Sequence, residues 1–530
     1  MATKIICNIK KTFTLFINIF GVFFAGILML FAFLPFKLFF LPIISLSLLL
    51  YFYINSHNIW QNIRHSLLFG IGFFGSSLSW IYVPLHDFGN INTFFAILIT
   101  IAFILVLSSI IIFFGIIFYN IHRKISIKYH KKKIYIILSI FINFPVFWLL
   151  QEFVRSKLAG GFPWLLLAYS QINSPLAGYI PIFGILITSW LTVIIASSIF
   201  AILFAYKHKM HITCYFFLLL IIIIISVGQL LRPITWTKKS NNKAIAVSII
   251  QGNIPESLKW QPDMIYHTLN IYKNLTANNW NTLVIWPEAA IPLVADNPLA
   301  KYFNTQLSIT AKQNNATIIT GIITNENDHY YNSAITLAKN YNIYHKRHLV
   351  IFGEYLPKFL SNFLHDIFHS LHLELPSMTA GKMIQKNFNI IIANNHVIKA
   401  AILICYEIAF TDLLHSNLPQ AQVLINISND AWFGKTYAMW QQLQIAQTMA
   451  LQTGRYLLIA NNNGISAIID NHGKIIKQST PYTRSVLHGY FYTYNRNNPY
   501  VHLMSLIIIL ILLSAIIINF ILLFIIDTDV

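Results

Sequence analysis

Long apolar runs occupy most of the first 240 residues and recur once near the end of the chain. A helix needs about 20 apolar residues to cross the hydrocarbon core of a bilayer. Runs of about that length lie at 13–33, 36–54, 65–83, 92–119, 134–151, 177–205, 212–231 and 501–526. The pattern predicts about eight membrane-spanning helices. The first is expected to be retained, because no small-residue cleavage site follows it.

Basic residues are concentrated in alternate predicted loops. The loops at 55–64, 120–133 and 206–211 hold most of the Lys and Arg residues in this part of the chain, whereas those near 34, 84–91 and 152–176 hold only Lys37, Arg155 and Lys157. Loops rich in Lys and Arg stay in the cytoplasm. This distribution predicts cytoplasmic termini, and an odd number of crossings places residues 240–497 outside the cytoplasm.

Residues 240–497 have a different pattern. Short β-rich runs at 244–250, 283–286, 317–323, 400–404 and 423–427 alternate with helix-compatible segments such as 261–279, 298–314 and 439–453. Such alternation is typical of an α/β domain. The sequence therefore predicts an N-terminal membrane domain (1–235), an exported α/β domain (240–497) and a C-terminal transmembrane helix (501–526).

Composition and charge support a membrane protein. The chain has 530 residues, of which 56% are apolar and 10% charged, with a mean hydropathy of +0.62. The formal net charge of +19 lies in short loops between apolar runs, so we expect no nucleic-acid partner. Cys7, Cys214 and Cys405 are far apart and lack metal-ligand spacing, which favours neither disulfides nor a metal site.

Three predicted strands each end with a reactive side chain. Glu288 follows the run at 283–287, Lys346 follows 343–345, and Cys405 follows 401–404. A cysteine that attacks an acyl carbon needs a base and an oxyanion-stabilising group. We expect Glu288 to be the general base and acid, Lys346 the stabilising cation and Cys405 the nucleophile. Each residue taken alone also fits a structural role, as a core cysteine or a solvated charge.

The order Trp-Pro-Glu, His-Lys-Arg-His and Cys-Tyr-Glu resembles the nitrilase, or carbon-nitrogen hydrolase, superfamily. Further motifs, spread over nearly the whole chain, resemble its membrane-embedded branch, the apolipoprotein N-acyltransferases. These motifs are Glu152 to Arg155, Gly161 to Trp164, Gln251 to Ile254, Lys259-Trp260, Tyr331 to Ser333, Phe352 to Pro357, Asn429 to Gly434, Gly454-Arg455 and Asn462 to Gly464.

The resemblance implies an exported αββα sandwich and a ping-pong reaction in a bacterial inner membrane. Cys405 would take an acyl chain from a membrane phospholipid and pass it to the N-terminal amine of a diacylglyceryl-cysteine apolipoprotein. Glu354 would support Lys346, and Tyr406 and Glu407 would flank the nucleophile. Trp260 would lie near the acyl-chain entrance. No metal or organic cofactor is implied, since acyl transfer through a thiol needs neither.

The chain departs from the family pattern at four positions. Ile351 replaces a usual proline, Gln442 replaces a frequent histidine, and Gln447 and Met449 occupy positions that are commonly basic. These changes leave the three catalytic candidates untouched. They affect the loop beside Lys346 and the expected contacts with the lipid headgroup.

Two questions stay open from sequence. The segment from Phe359 to Leu373 has apolar residues near helical spacing and fits either an interfacial arm that admits lipid or an ordinary core-facing helix. Two other functions also compete: a membrane-anchored nitrilase or amidase that hydrolyses a small amide, and a transporter or sensor with a non-catalytic exported domain.

Overall fold

The computed structural model describes residues 19–89, 91–241, 243–337, 340–351, 353–355, 378–392, 396–418 and 420–525. The segment from Phe359 to Leu373 lies outside them. The chain divides into two compact units. The first comprises the described parts of Met1–Tyr82, Phe94–Ile234 and Pro499–Val530, and the second comprises Val83–Thr93 and Thr235–Asn498. The predicted domain boundaries stay predictions.

The first unit is helical. Its long helices are α1 (Ile19–Ala32), α2 (Leu41–Ile54), α3 (Ile59–Leu78), α4 (Thr93–Lys128), α5 (Lys133–Lys157), α6 (Ile180–Lys207), α7 (His211–Leu231) and, after the second unit, the C-terminal helix Tyr500–Phe520. Within the described residues, six helical segments are long and apolar enough to cross a membrane, whereas α1 and α2 are shorter. Membrane-spanning helices are thus confirmed, and the number eight stays a prediction.

Three helices extend beyond the predicted apolar runs. Helix α3 begins at Ile59 rather than 65, α4 continues to Lys128, and α5 continues to Lys157. The predicted loops at 55–64 and 120–133 were therefore too long. Asn58 caps α3 by accepting a hydrogen bond from the Gln61 N–H at 2.9 Å, and polar residues continue a helix whose backbone bonds are already satisfied.

Close backbone contact joins α1 to α3 at two glycines. A Cβ atom at Gly26 would lie 2.3 Å from the carbonyl oxygen of Phe69, and one at Gly72 would lie 2.2 Å from that of Phe23. Only a residue without a side chain fits such a crossing. Small residues are the usual means of packing helices in lipid, where apolar burial gives little driving force between helices.

The second unit contains two large sheets. The first is built from β1 (Ile245–Gln251), β2 (Leu283–Ile285), β3 (Ile291–Val294), β4 (Thr317–Glu326), β5 (His329–Leu337) and β6 (Ile343–His345), and the second from β7 (Phe388–Ile391), β8 (Val397–Ile404), β9 (Val423–Ser428), β10 (Leu457–Asn461), β11 (Ala467–Ile469) and β12 (Ile475–Gln478). Strand β13 (Ser485–Phe491) returns to pair with β1. The orders are β13-β1-β2-β4-β5-β6, with β3 beside β4, and β12-β11-β10-β9-β8-β7.

The two sheets pack face to face over a buried apolar core. Val247 and Ile285 of the first sheet share this core with Ile402 and Ile425 of the second. On the outer face of the first sheet lie α8 (Pro262–Ala277) and α9 (Pro298–Gln313), and α10 (Ala438–Thr453) lies against β10 and β11. The predicted αββα sandwich is confirmed.

Candidate active site

The turn that carries Cys405 is held in an unusual backbone conformation. Cys405 directly follows β8 and has φ +51°, in the left-handed region that non-glycine residues rarely occupy. Asn426 donates its amide N–H to the Cys405 carbonyl at 3.2 Å, and the Ile404 N–H donates to a Glu407 carboxylate oxygen at 2.8 Å. Strained residues fixed by their surroundings are frequent at active sites.

A buried lysine and two carboxylates form the polar centre of the site. Lys346 Nζ lies 2.8 Å from Glu354 Oε1 and 3.4 Å from Glu288 Oε1. Asn332 donates to the same two oxygens, at 2.7 Å to Glu288 and 2.9 Å to Glu354. Lys346 is 1% exposed, so its charge is compensated by protein groups and not by water.

Electrostatics favour a protonated thiol at rest. Burial raises the pKa of Cys405, and the Glu288 carboxylate raises it further, while Lys346 acts in the opposite direction. Burial alone would lower the pKa of Lys346, but Glu354, Glu288 and the Cys405 thiolate outweigh it and raise that pKa above its ordinary value. Lys346 therefore stays cationic, and forming the thiolate requires a base.

Main-chain contacts fix the turn that carries Glu288. Ala289 has φ +44°, and a Cβ atom on Gly321 would lie 2.3 Å from the Ala289 nitrogen. The ammonium of Lys259 donates to the Glu288 carbonyl oxygen at 3.1 Å. These contacts leave the main chain at Glu288 little freedom to move.

Glu407 joins the turn after β8 to the turn after β6. One of its oxygens accepts the main-chain N–H groups of Arg347 and His348, at 2.7 and 3.1 Å, and the other accepts the Tyr344 hydroxyl and the Ile404 N–H, both at 2.8 Å. Burial raises the pKa of Glu407, while these hydrogen bonds act to lower it. Its contacts are those of a positioning residue between the Lys346 and Cys405 turns.

The two aromatic candidates lie in different settings. Tyr406 packs edge-on against Phe410, with ring centroids 5.0 Å apart. Trp260 is 46% exposed and donates its indole N–H to Glu256 at 3.0 Å. Trp260 lies on the second unit, which carries the candidate catalytic residues and is called the catalytic unit below. An exposed indole there is suited to contact an apolar ligand.

Three site residues were not predicted as such from sequence. Asn332, Lys259 and Asp430 each lie within a motif that the sequence shows, but nothing in the motif reveals which side chain acts on a candidate catalytic residue. Burial raises the pKa of Asp430 to about 7. Its carboxylate accepts a hydrogen bond from the Ser428 hydroxyl at 3.0 Å, and the Ser428 side chain acts to lower the pKa of Cys405.

The departures from the family pattern have defined contacts. Gln442 donates to Ser428 Oγ at 2.9 Å, and Gln447 donates to the Gly473 carbonyl at 2.9 Å. Met449 is buried, and Ile351 forms a β-bridge with Tyr355. Among the described residues no group of three His, Cys, Asp or Glu side chains could hold a metal ion.

Comparison with known proteins identifies the chain's relatives. A family model described as carbon-nitrogen hydrolase matches residues 246–489, and one described as apolipoprotein N-acyltransferase N-terminal domain matches residues 25–198. The apolipoprotein N-acyltransferase of Coxiella burnetii is 36% identical over 502 residues, covering 92% of this chain and 98% of that protein. The chain belongs to the apolipoprotein N-acyltransferase family. The Photobacterium profundum member is 32% identical over 476 residues, with 87% of each chain covered.

Solved structures resemble part of this apolipoprotein N-acyltransferase family member. A CN-hydrolase superfamily protein from Xanthomonas campestris has a TM-score of 0.35 and 15% identity, and covers 47% of this chain and 91% of that one. An amidase from Nesterenkonia sp. has a TM-score of 0.34 and 13% identity, and covers 50% and 94%. The predicted family, fold class and N-acyltransferase class are confirmed; the residue roles stay predictions.

Proposed function

We propose that the chain transfers a fatty acyl group from a membrane phospholipid, through a thioester on Cys405, to the N-terminal amine of a diacylglyceryl-cysteine apolipoprotein. The observation that carries this proposal is the buried Lys346 ion-paired with Glu288 and Glu354, in a member of this family, where Lys346 and Glu288 both act on the pKa of Cys405. Lipid substrates also suit a chain with membrane-spanning helices.

In the first half-reaction, Glu288 removes the proton from Cys405 Sγ, and the thiolate attacks the ester carbonyl carbon of the phospholipid. Lys346 and main-chain N–H groups stabilise the resulting oxyanion. When the intermediate collapses, the C–O bond breaks and protonated Glu288 gives its proton to the departing lysophospholipid oxygen. Glu288 is again ionised, and the acyl group remains on sulfur.

In the second half-reaction, the lipoprotein amine attacks the thioester carbonyl. Glu288 takes a proton from the attacking nitrogen, the C–S bond breaks, and the proton returns to the Cys405 thiolate. The product is an amide, and the resting state is restored. Because burial and Glu288 raise the pKa of the thiol, the cysteine leaves as a thiol and does not accumulate as a free thiolate.

We further propose that the catalytic unit faces the periplasm, with both termini cytoplasmic. The support is the concentration of Lys and Arg in alternate short loops and in the helix ends beside them. In intact spheroplasts, an impermeant maleimide is expected to label Lys301→Cys and not Lys131→Cys, both made in a background in which Cys7, Cys214 and Cys405 are replaced by alanine. Labelling of Lys131→Cys alone would show that the orientation is the reverse of the one proposed.

Intact-protein mass spectrometry tests the acyl transfer. Detergent-purified full-length protein is incubated with phospholipid, and a diacylated lipopeptide is then added. We expect an acyl adduct on wild type and on Cys214→Ala, the matched control, but not on Cys405→Ala. Transfer to the lipopeptide as an amide supports the proposal. An adduct lost only to water indicates a hydrolase, and an adduct that persists on Cys405→Ala removes that residue from the mechanism.

A further inference from the structure

Lys259 is a second buried lysine, and it contacts the turn of Glu288, the proposed general base. It ends a single helical turn, Glu256–Lys259, and is 2% exposed. Its ammonium donates to the main-chain carbonyl of Glu288 at 3.1 Å. A lysine is seldom buried to this extent without a charged partner, so its position at the base of the site requires an explanation.

The turn that carries Lys259 is fixed to the second sheet. The Ile254 N–H donates to Asn462 Oδ1 at 3.0 Å, and Glu256 accepts a hydrogen bond from Asn429, directly after β9. Lys259 therefore bridges the end of β9 and the turn of Glu288, which follows β2 of the first sheet. A rigid donor at this place restricts the main chain from which the catalytic carboxylate projects.

Charge balance gives the ammonium a second role. When the thiol proton moves to Glu288, the remaining anions near Lys346 are the thiolate and Glu354. Lys346 alone faces two anions both before this transfer, when they are Glu288 and Glu354, and after it, in a site that excludes water, where unbalanced charge is costly. Lys259 supplies the second positive charge, and Glu256, Glu288 and Cys405 are the anionic groups that act to raise its pKa.

We propose that Lys259 is a positioning residue that holds the Glu288 turn through its main-chain carbonyl and that its charge assists formation of the Cys405 thiolate. The proposal rests on the assignment of Cys405 as the nucleophile. Burial lowers the pKa of Lys259, and the thiolate and the two carboxylates act to raise it. This coupling is mutual: whatever keeps Lys259 protonated when the thiolate forms also favours the thiolate.

The test is the pH dependence of Cys405 alkylation by iodoacetamide, followed by mass spectrometry on the full-length detergent-solubilised protein without phospholipid. Lys259→Gln keeps a donor for the Glu288 carbonyl but removes the charge, and Lys259→Arg keeps the charge. We expect the apparent midpoint to rise by about one pH unit or more in the glutamine variant, a tenfold change in the ionisation equilibrium. The arginine variant should stay within about 0.3 units of wild type.

Other charges that act on the thiol are held constant in these variants: Glu288, Lys346 and Asp430 directly, and Glu354 through Lys346. Lys301→Gln, a substitution of an exposed lysine on α9, controls for net charge.

An unchanged midpoint in Lys259→Gln, or an equal shift in Lys259→Arg, would overturn the proposal. Should Lys259→Gln fail to fold, Glu256→Gln removes a carboxylate that helps to keep Lys259 protonated: the midpoint must rise, and a fall or no change counts against the charge role. Because no lipid is present, these outcomes are independent of the acyl donor and acceptor.

Discussion

Replacing Glu407 with glutamine is expected to destabilise the catalytic unit, because its fully buried carboxylate accepts four hydrogen bonds. Glutamine has nearly the same size but only one carbonyl oxygen. If that oxygen faces the N–H groups of Arg347 and His348, the new NH₂ group faces the Ile404 N–H, which cannot accept. The Tyr344 hydroxyl can rotate and accept from it.

The magnitude follows from the bonds that are lost. Each hydrogen bond to a charged group contributes about 1.5–3 kcal/mol, and a buried donor left unpaired costs about 1–3 kcal/mol. Burial opposes the charge of Glu407, as its raised pKa indicates, and glutamine removes that cost. We therefore expect the low end of these combined costs, a loss of about 3 kcal/mol in the free energy of unfolding. This corresponds to a fall of roughly 6–12 °C in melting temperature for a domain of this size.

Thermal unfolding of the full chain in detergent, followed by intrinsic fluorescence, measures this loss. Glu326→Gln is the matched control, since that side chain is 57% exposed and lies 3.2 Å from His345; its stability should change by less than about 0.5 kcal/mol. If Glu407→Gln melts within about 2 °C of wild type, the reasoning that this carboxylate holds the two catalytic turns together is wrong.

Three further substitutions test other contacts. Asn332→Asp puts a third carboxylate between Glu288 and Glu354 and should slow acylation at least roughly tenfold, whereas equal rates in the mass-spectrometric assay would contradict this. Gly321→Ala places a Cβ 2.3 Å from the Ala289 nitrogen and should reduce acylation in the same assay; an unaltered rate would show that the Glu288 turn yields easily. The folded-state pKa of Asp430, about 7, exceeds its ordinary value of 3.8, so stability should fall as pH rises between these values. Asp430→Asn should weaken that dependence, and an identical melting-temperature profile between about pH 5 and 8 would argue against it.

The sequence alone predicted where the strands that carry the candidate site residues end. Buried runs such as 401–404 stop at a single reactive residue, Cys405, because a buried strand needs apolar side chains throughout, and a polar residue at its end is conspicuous. The observed strand Val397–Ile404 begins three residues before the predicted 400, since Lys399 is polar yet belongs to the ladder. Periodicity identifies the buried part of a strand better than its beginning.

The sequence did not predict the contacts that hold the candidate catalytic residues in place. Lys259 lies in a polar segment where a solvent-exposed lysine is the usual expectation, and only the packing of its turn against Glu288 reveals the contact. Glu407 was expected beside the nucleophile, but the sequence does not show that it also binds main-chain groups after β6. Such contacts depend on separate segments meeting, which spacing along the chain does not encode.

The division of the candidate catalytic groups between two sheets has a consequence for how activity is lost. Glu288 and Lys346 follow strands of one sheet and Cys405 follows a strand of the other, while β13 returns from residue 485 to pair with β1. Neither half of the sandwich alone holds a complete set of reacting groups. Catalytic activity therefore depends on how the two sheets are aligned. If one sheet shifts against the other while every strand stays hydrogen-bonded, circular dichroism detects no change, but the enzyme loses its activity.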